Sequence, residues 1–148
     1  MHQFLQYAWF DGKCIPFNEA KISIATHALH YGTAAFGGMR AIPNPEDKNE
    51  FLLFRTEKHI KRLSQSARLL LTNIDEDYIF NCLKEVIKKN KPDKPIYIRP
   101  FIYTSDLGIA PRLHNIETSF FIYCIELGDY LSPEGVSCRM SSWTRQAD

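Results

Sequence analysis

Apolar residues recur along this chain with two different periods, which predict strands in some segments and helices in others. Apolar or alternating runs predict strands at residues 7–10, 13–17, 39–42, 51–54, 96–103, 119–127 and 136–140. The first two runs flank Asp11-Gly12, and such a pair between apolar segments favours a tight β-hairpin. Apolar residues at a spacing of three and four predict two consecutive helices after the fourth strand.

Particular residues mark the ends of these helices. Thr56 is the predicted N-cap of the first helix, Asp75 is the predicted N-cap of the second, and Pro92 ends the second. Strands, then two adjacent helices, then further strands are the order typical of an α+β fold. We expect a mostly antiparallel sheet with the two helices packed on one face.

Length and composition limit what the chain can be. Its 148 residues suffice for one domain, and 45% hydrophobic against 24% charged residues is ordinary for a globular protein. A net charge of +1 gives no indication of a nucleic-acid or membrane partner, and no apolar run approaches the roughly 18 residues of a membrane span. The four cysteines are far apart and form no CxxC pair, which favours a reduced, cytoplasmic setting over a disulfide framework.

The predicted elements all fall within residues 1–140, which we expect to form one domain. Residues 141–148 are polar and have no periodic pattern. Such a segment is typical of the start of a linker between two domains.

Arg99 lies inside the fifth predicted strand, among apolar and aromatic residues. Alternation places it on the same face as Tyr97, Phe101 and Tyr103. A guanidinium removed from water is costly unless it is paired, so one explanation is an ion pair with a buried carboxylate. The other is a binding site for a small anion with an apolar body, such as an amino acid or an oxo acid. Pro100 cannot donate a hydrogen bond to a sheet, so we expect an edge strand or a bulge there.

Other polar residues have simpler explanations. His27 and His30 are spaced as some zinc ligands are, but no third ligand follows at a suitable spacing, and polar residues that order a turn are the better interpretation. Arg62 borders the apolar stripe of the first predicted helix. Its guanidinium could hold a phosphate, or it could be a surface residue whose stem packs against the helix. Gly37-Gly38 lack the spacing of a dinucleotide-binding motif.

Five segments, in order, carry a family resemblance. They are Phe10-Asp11-Gly12-Lys13, His27-Ala28-Leu29-His30-Tyr31-Gly32-Thr33, Phe36-Gly37-Gly38-Met39-Arg40, His59-Ile60-Lys61-Arg62-Leu63 and Tyr97-Ile98-Arg99-Pro100. Together they resemble the branched-chain amino-acid aminotransferases, which are fold-type IV enzymes that depend on pyridoxal 5′-phosphate (PLP). The resemblance covers only the smaller, N-terminal domain of that family. It therefore implies that the C-terminal PLP domain is absent from this chain.

The resemblance also implies roles for single residues. Arg62 resembles the helix arginine that holds the PLP phosphate. Tyr97 and Arg99 resemble the pair that faces the substrate side chain, where the arginine meets the distal carboxylate of glutamate or 2-oxoglutarate. The other residues that resemble the substrate pocket are Tyr31, Phe36, Gly38, Arg40 and Tyr130. The loop of Leu107, Gly108 and Ile109 resembles one that enters the active site of a partner subunit, which implies a homodimer or a higher homo-oligomer.

The reaction that the resemblance implies for the intact enzyme is amino transfer from leucine, isoleucine or valine to 2-oxoglutarate, in branched-chain amino-acid biosynthesis. The family's PLP-binding lysine has no credible counterpart here, so we expect these 148 residues alone to lack PLP and to be inactive. A D-amino-acid aminotransferase and an aminodeoxychorismate lyase, both of the same fold class, are alternatives. So are a non-catalytic domain that binds or dimerises and a PLP-independent sensor that binds small molecules at Arg99.

Overall fold

The strands of this protein belong to one antiparallel sheet in the computed structural model, which describes residues 3–47, 50–126, 128 and 133–144. The strands are β1 (Tyr7–Phe10), β2 (Lys13–Pro16), β3 (Ala34–Phe36), β4 (Met39–Pro43), β5 (Phe51–Leu53), β6 (Ile96–Thr104) and β7 (Thr118–Glu126). The α-helices are α1 (His27–Tyr31), α2 (Thr56–Leu69) and α3 (Glu76–Asn90), and a short 3-10 turn (Phe17–Glu19) follows β2. The strand order is β2-β1-β7-β6-β4-β5, with β3 also paired to β6.

The hairpin of β1 and β2 forms where the sequence predicts it. Its turn residues Asp11 and Gly12 have φ angles of 47° and 82°. Positive φ at both central positions matches the twist of the two strands, and glycine adopts it without a steric cost. The hairpin prediction is therefore confirmed, and β1 in turn pairs with β7 in the middle of the sheet.

Helices α2 and α3 cover one face of the sheet. Ile96, Ile98 and Ile102 of β6 are buried in the same cluster as Leu63 of α2 and Leu83 of α3. Each such side chain contributes about 1.5–3 kcal/mol when it is fully removed from water. The expected α+β fold, with an antiparallel sheet and the two predicted helices on one face, is confirmed.

The helix ends confirm one predicted cap and correct the other. Asp75 caps α3, since its Oδ1 accepts a hydrogen bond from the N–H of Tyr78 at 2.7 Å, and α3 ends two residues before Pro92. Thr56 is the first residue of α2 and not its N-cap. Arg55 precedes it in the left-handed conformation, at φ 50°, and its side chain makes no capping hydrogen bond.

The final predicted strand, residues 136–140, is wrong. That segment has no strand structure, and its two large apolar side chains, Val136 and Met140, are 58% and 100% exposed. Because both side chains are largely exposed, the alternation in the sequence does not pack against a face of the sheet within the described residues.

Pro100 lies in the middle of the sheet, which corrects the expectation of an edge strand or a bulge. β6 pairs with β7 over its whole length, and on its other side it pairs with β4 and β3 in the same register. The ladder lapses only at Gly37-Gly38, between β3 and β4. The Gly37 N–H donates to the Pro100 carbonyl at 3.0 Å, but proline has no N–H to donate in return. The missing donor is therefore accommodated by a break in the neighbouring strand.

A helix that crosses a membrane has to be both long and apolar. Among the residues that the structure describes, none of the helices combines the length and the apolar composition required to cross a membrane.

Candidate functional site

The sheet face opposite α2 and α3 is aromatic. Alternation along β6 turns Tyr97, Arg99 and Phe101 toward this face while the residues between them point into the core. The Phe101 ring stacks on Phe121 of β7 at a centroid distance of 4.8 Å and on Phe36 of β3 at 6.1 Å. These rings form an apolar floor beside a charged group.

Arg99 is held by aromatic groups and not by a carboxylate. Its Nε and Nη2 donate to Tyr97 Oη at 3.3 and 3.1 Å. Its Cζ lies 4.6 Å from the ring centroid of Phe36, where the electron-rich ring face attracts a cation. No carboxylate of the described residues forms an ion pair with this guanidinium. The internal ion pair that the sequence left open is therefore not formed in this part of the chain.

The charge of Arg99 persists at ordinary pH. Partial burial by itself lowers the pKa of Arg99, but the hydroxyl groups of Tyr97 and Tyr123 favour the charged form and outweigh this effect. The pKa therefore lies above the ordinary value for arginine. A permanently charged, partly exposed guanidinium among aromatic rings suits a ligand that carries a carboxylate on an apolar chain.

Gly38 allows the Tyr97 ring to lie against the neighbouring backbone. A Cβ at position 38 would lie 2.6 Å from Tyr97 Oη and 2.8 Å from Tyr97 Cε2. A larger residue would thus displace the hydroxyl group that holds Arg99. Arg40 is the register partner of Tyr97 on β4 and is exposed. The structure therefore brings Gly38, Tyr97, Arg99 and Phe36 together, with Arg40 next to them.

A second group of expected site residues lines a cavity of about 530 Å³. Tyr31 lines it together with the loop residues Leu107, Gly108 and Ile109. Tyr31 is the last residue of α1, a helix that forms where the sequence predicts only a turn, because five residues are too few to show a helical period. Gly32 ends this helix in the left-handed conformation, at φ 65°.

Two expected site residues lie elsewhere. Arg62 is on the exposed side of α2, where its Nη2 lies 3.3 Å from Nδ1 of His59. α2 covers the sheet face opposite the Arg99 side chain, and no contact among the described residues joins the two arginines. Tyr130 lies outside the described residues.

His27 has a larger part in this region than its sequence suggests. It is 1% exposed, its ring lies 4.5 Å from that of Tyr31 by centroid distance, and its Nε2 lies 2.7 Å from the carbonyl oxygen of Ala110. Ala110 is 83 residues away along the chain. No local pattern could therefore reveal this contact. The sequence predicts polar residues that order a turn here, whereas His27 begins helix α1.

Comparison with known proteins identifies the family. A family profile described as amino-transferase class IV matches residues 35–148. This chain belongs to the class IV aminotransferase family. Over all 148 residues it is 58% identical to the probable branched-chain-amino-acid aminotransferase of Synechocystis sp., and it covers 48% of that protein.

Solved structures agree with this assignment. The crystal structure of the Escherichia coli branched-chain amino acid aminotransferase matches with a TM-score of 0.87 at 31% identity, over 97% of this chain and 48% of that one. The PLP form of the enzyme from Thermobaculum terrenum matches with a TM-score of 0.74 at 26% identity, over 86% of this chain and 42% of that one. The chain thus corresponds to the N-terminal part of branched-chain aminotransferases and spans about half the length of the relatives it matches.

Proposed function

We propose that this chain is the substrate-recognition part of a PLP-dependent transaminase that moves the amino group of leucine, isoleucine or valine to 2-oxoglutarate. The observation that carries the proposal is Arg99, a guanidinium held by Tyr97 and the ring of Phe36, with no carboxylate partner among the described residues. The names of the similar proteins support branched-chain amino acids as the amino donors. We expect the whole protein to act in the cytoplasm, in branched-chain amino-acid biosynthesis.

The proposed site has to accept two kinds of side chain in turn. A branched apolar chain is favoured by ring faces, which Phe36 and Phe101 supply on this side of the sheet. The distal carboxylate of 2-oxoglutarate is favoured by Arg99, since a charge-assisted hydrogen bond is roughly twice as strong as a neutral one. We assign Arg40 to the edge of this pocket. Tyr31 lines a cavity with residues 107–109, so we assign it, together with that loop, to an aromatic and apolar wall of a substrate pocket.

The hydrogen-bond donors of Arg62 fit the phosphate group of PLP. Arg62 presents a planar guanidinium on the exposed side of α2, beside His59, and such a group binds a phosphate with two parallel hydrogen bonds. When bound, PLP supplies an electron-withdrawing ring that makes the Cα–H bond of the substrate more acidic. From the family resemblance we expect the lysine that holds PLP to lie in the C-terminal part of a longer protein. We therefore expect residues 1–148 alone to show no turnover of leucine with 2-oxoglutarate.

The loop at residues 107–109 supports a second copy of the chain as a partner. Leu107 and Ile109 are 62% and 97% exposed, and Ile24, on the same cavity, is 86% exposed. Adjacent exposed apolar side chains are typical of interaction surfaces. We assign this loop to the active site of a partner subunit in a homodimer or a higher homo-oligomer.

The experiment that tests the function uses the full-length protein. We expect 2-oxoglutarate to be aminated with L-leucine as the donor and not with D-alanine. Arg99→Met should lower kcat/KM for 2-oxoglutarate by about 100-fold, the loss expected for a hydrogen bond to a charged group, and should change kcat/KM for 4-methyl-2-oxopentanoate by less than about threefold. Arg99→Lys is the matched control, because it keeps the charge without the planar pair of donors.

Two results would contradict the proposal. A preference for D-alanine would move the protein to the D-amino-acid aminotransferases. Equal losses for both oxo acids in Arg99→Met would show that the guanidinium does not recognise the distal carboxylate.

A further inference from the structure

We infer that His27 is a positioning residue, which holds both Tyr31 and the loop of residues 107–109 in the places where they line one cavity. The identity of the ligand in this cavity rests on the proposed function. The contacts of His27 are independent of that proposal, and they connect α1, β6 and the loop after β6.

The buried imidazole of His27 has partners on both of its nitrogens. Nε2 lies 2.7 Å from the Ala110 carbonyl oxygen, and since a carbonyl only accepts, Nε2 carries a proton and donates it. Nδ1 lies 2.9 Å from Thr33 Oγ1 and 3.1 Å from Thr104 Oγ1, and when it carries no proton it accepts a hydrogen bond from one of these two hydroxyl groups. The two threonine hydroxyls also hydrogen-bond to each other. Hydrogen bonds at both nitrogens therefore fix the orientation of the His27 ring.

The backbone beside His27 holds the same loop a second time. The His27 N–H donates to the Asp106 carbonyl at 2.9 Å, and Thr26 forms an isolated antiparallel bridge with Leu107. Residues 107–109 thus lie between Asp106 and Ala110, and both of these carbonyls accept hydrogen bonds from His27. The loop cannot shift relative to α1 without breaking one of the two bonds.

The imidazole ring of His27 also packs against Tyr31. Tyr31 lies four residues after His27 in α1, so the two side chains share one side of the helix, and their ring centroids are 4.5 Å apart. The imidazole of His27 therefore contacts both Tyr31 and the end of the loop, and both of these line the cavity. His27 acts through Tyr31 and the loop, and its 1% exposure leaves it no surface for contact with a ligand.

Two matched variants of the full-length protein test this role. His27→Gln can place an amide N–H near the position of Nε2 and keep the bond to Ala110, whereas the shorter His27→Asn cannot reach it. We expect His27→Asn to raise KM for leucine about tenfold, to change kcat by less than about threefold and to speed amide exchange in residues 105–112 by about fivefold, the effects of losing one buried hydrogen bond. His27→Gln should restore KM and exchange to within about threefold of the wild type.

The outcomes separate this inference from the proposed function. Unchanged loop exchange in His27→Asn, or equal behaviour of the two variants, overturns the positioning role even if the wild type is an active transaminase. Faster loop exchange in a protein with no transaminase activity supports the positioning role and rejects the function. If His27→Asn does not fold, long-range ¹H–¹⁵N NMR of the wild-type protein decides, and an Nε2 without a proton overturns the inference.

Discussion

At the scale of the residue, the lack of a side chain at Gly38 leaves room for the Tyr97 ring, whose hydroxyl group holds the Arg99 guanidinium. In Gly38→Ala the new Cβ would lie 2.6 Å from Tyr97 Oη, so the ring must shift, and we expect this shift to weaken its two hydrogen bonds from Arg99. We expect KM for 2-oxoglutarate to rise about tenfold, measured by steady-state kinetics on the full-length protein. Thermal stability should change little, because the displaced ring lies on the open face of the sheet.

The control for this variant is Gly128→Ala, since among the described residues beyond its chain neighbours no atom lies within 4 Å of the added Cβ. It should leave both KM and thermal stability unchanged. A wild-type KM for 2-oxoglutarate in Gly38→Ala would show that Tyr97 does not orient Arg99.

Burial also decides which thiols react. Desolvation raises the pKa of Cys124 to about 12 and that of Cys82 to about 11, because the thiolate loses its hydration in the core. The thiolate is the reactive form, and at pH 8 only about 0.1% of a thiol with the pKa of Cys82 is ionised. We expect iodoacetamide at pH 8 to label the exposed Cys138 in the native protein and to reach Cys82 and Cys124 only after unfolding, as read by peptide mass spectrometry. Native-state labelling of Cys124 as fast as that of Cys138 would contradict the packing described above.

At the scale of the element, strand β6 shows how a residue pattern becomes two chemically different surfaces. Its even-numbered residues Ile96 and Ile98 are buried under the helices, while Tyr97 and Arg99 face the other way. The pairing of β6 with β7 on one side, and with β4 and β3 on the other, holds this alternation rigid. The element thus presents a charged group from a strand that is central to the sheet.

The N-cap of α3, Asp75, stabilises the first turn of that helix. Asp75→Ala removes the acceptor of the Tyr78 N–H, now bonded at 2.7 Å, and should destabilise the first turn of the helix by about 1 kcal/mol. Hydrogen exchange of the amides at residues 76–79 should therefore become about fivefold faster, while exchange in α2 stays unchanged. Asp75→Ser keeps a capping oxygen and should remain close to the wild type. Equal exchange in Asp75→Ala and the wild type would show that the cap does not hold this turn.

At the scale of the whole molecule, the sheet has helices on one face and aromatic rings on the other, and an apolar loop extends from one end. Ile109, at 97% exposure in that loop, is proposed to contact a partner subunit. Ile109→Lys should weaken dimerisation of the full-length protein at least about tenfold, because a desolvated charge would enter an apolar contact. Sedimentation equilibrium measures this directly.

Leu69 supplies the matched control for the loop. It is 83% exposed at the end of α2, in the helix layer, so Leu69→Lys makes the same chemical change on a different surface. It should leave the oligomeric state as it is. Equal weakening by both variants, or by neither, would remove the loop from the proposed interface.

Much of the fold could be predicted from local patterns. The Asp11-Gly12 hairpin, the cap at Asp75 and the alternation around Arg99 each depend on residues a few positions apart, and each is present in the structure. The first turn of α2 was misjudged because Thr56 is a good capping residue in general, whereas the backbone here begins the helix after Arg55. Helix α1 is not predicted, because its five residues span little more than one helical turn and show no repeated spacing.

The alternation of residues is enough to predict an apolar and an aromatic face for β6, because the direction of side chains along a strand follows from backbone geometry alone. What the guanidinium of Arg99 contacts depends instead on how the chain folds. An arginine pairs with whichever acceptor the fold brings near it, and here the fold brings Tyr97 and Phe36 and no described carboxylate. The partners of His27 lie up to 83 residues away, so their positions depend on chain folding that no local periodicity encodes.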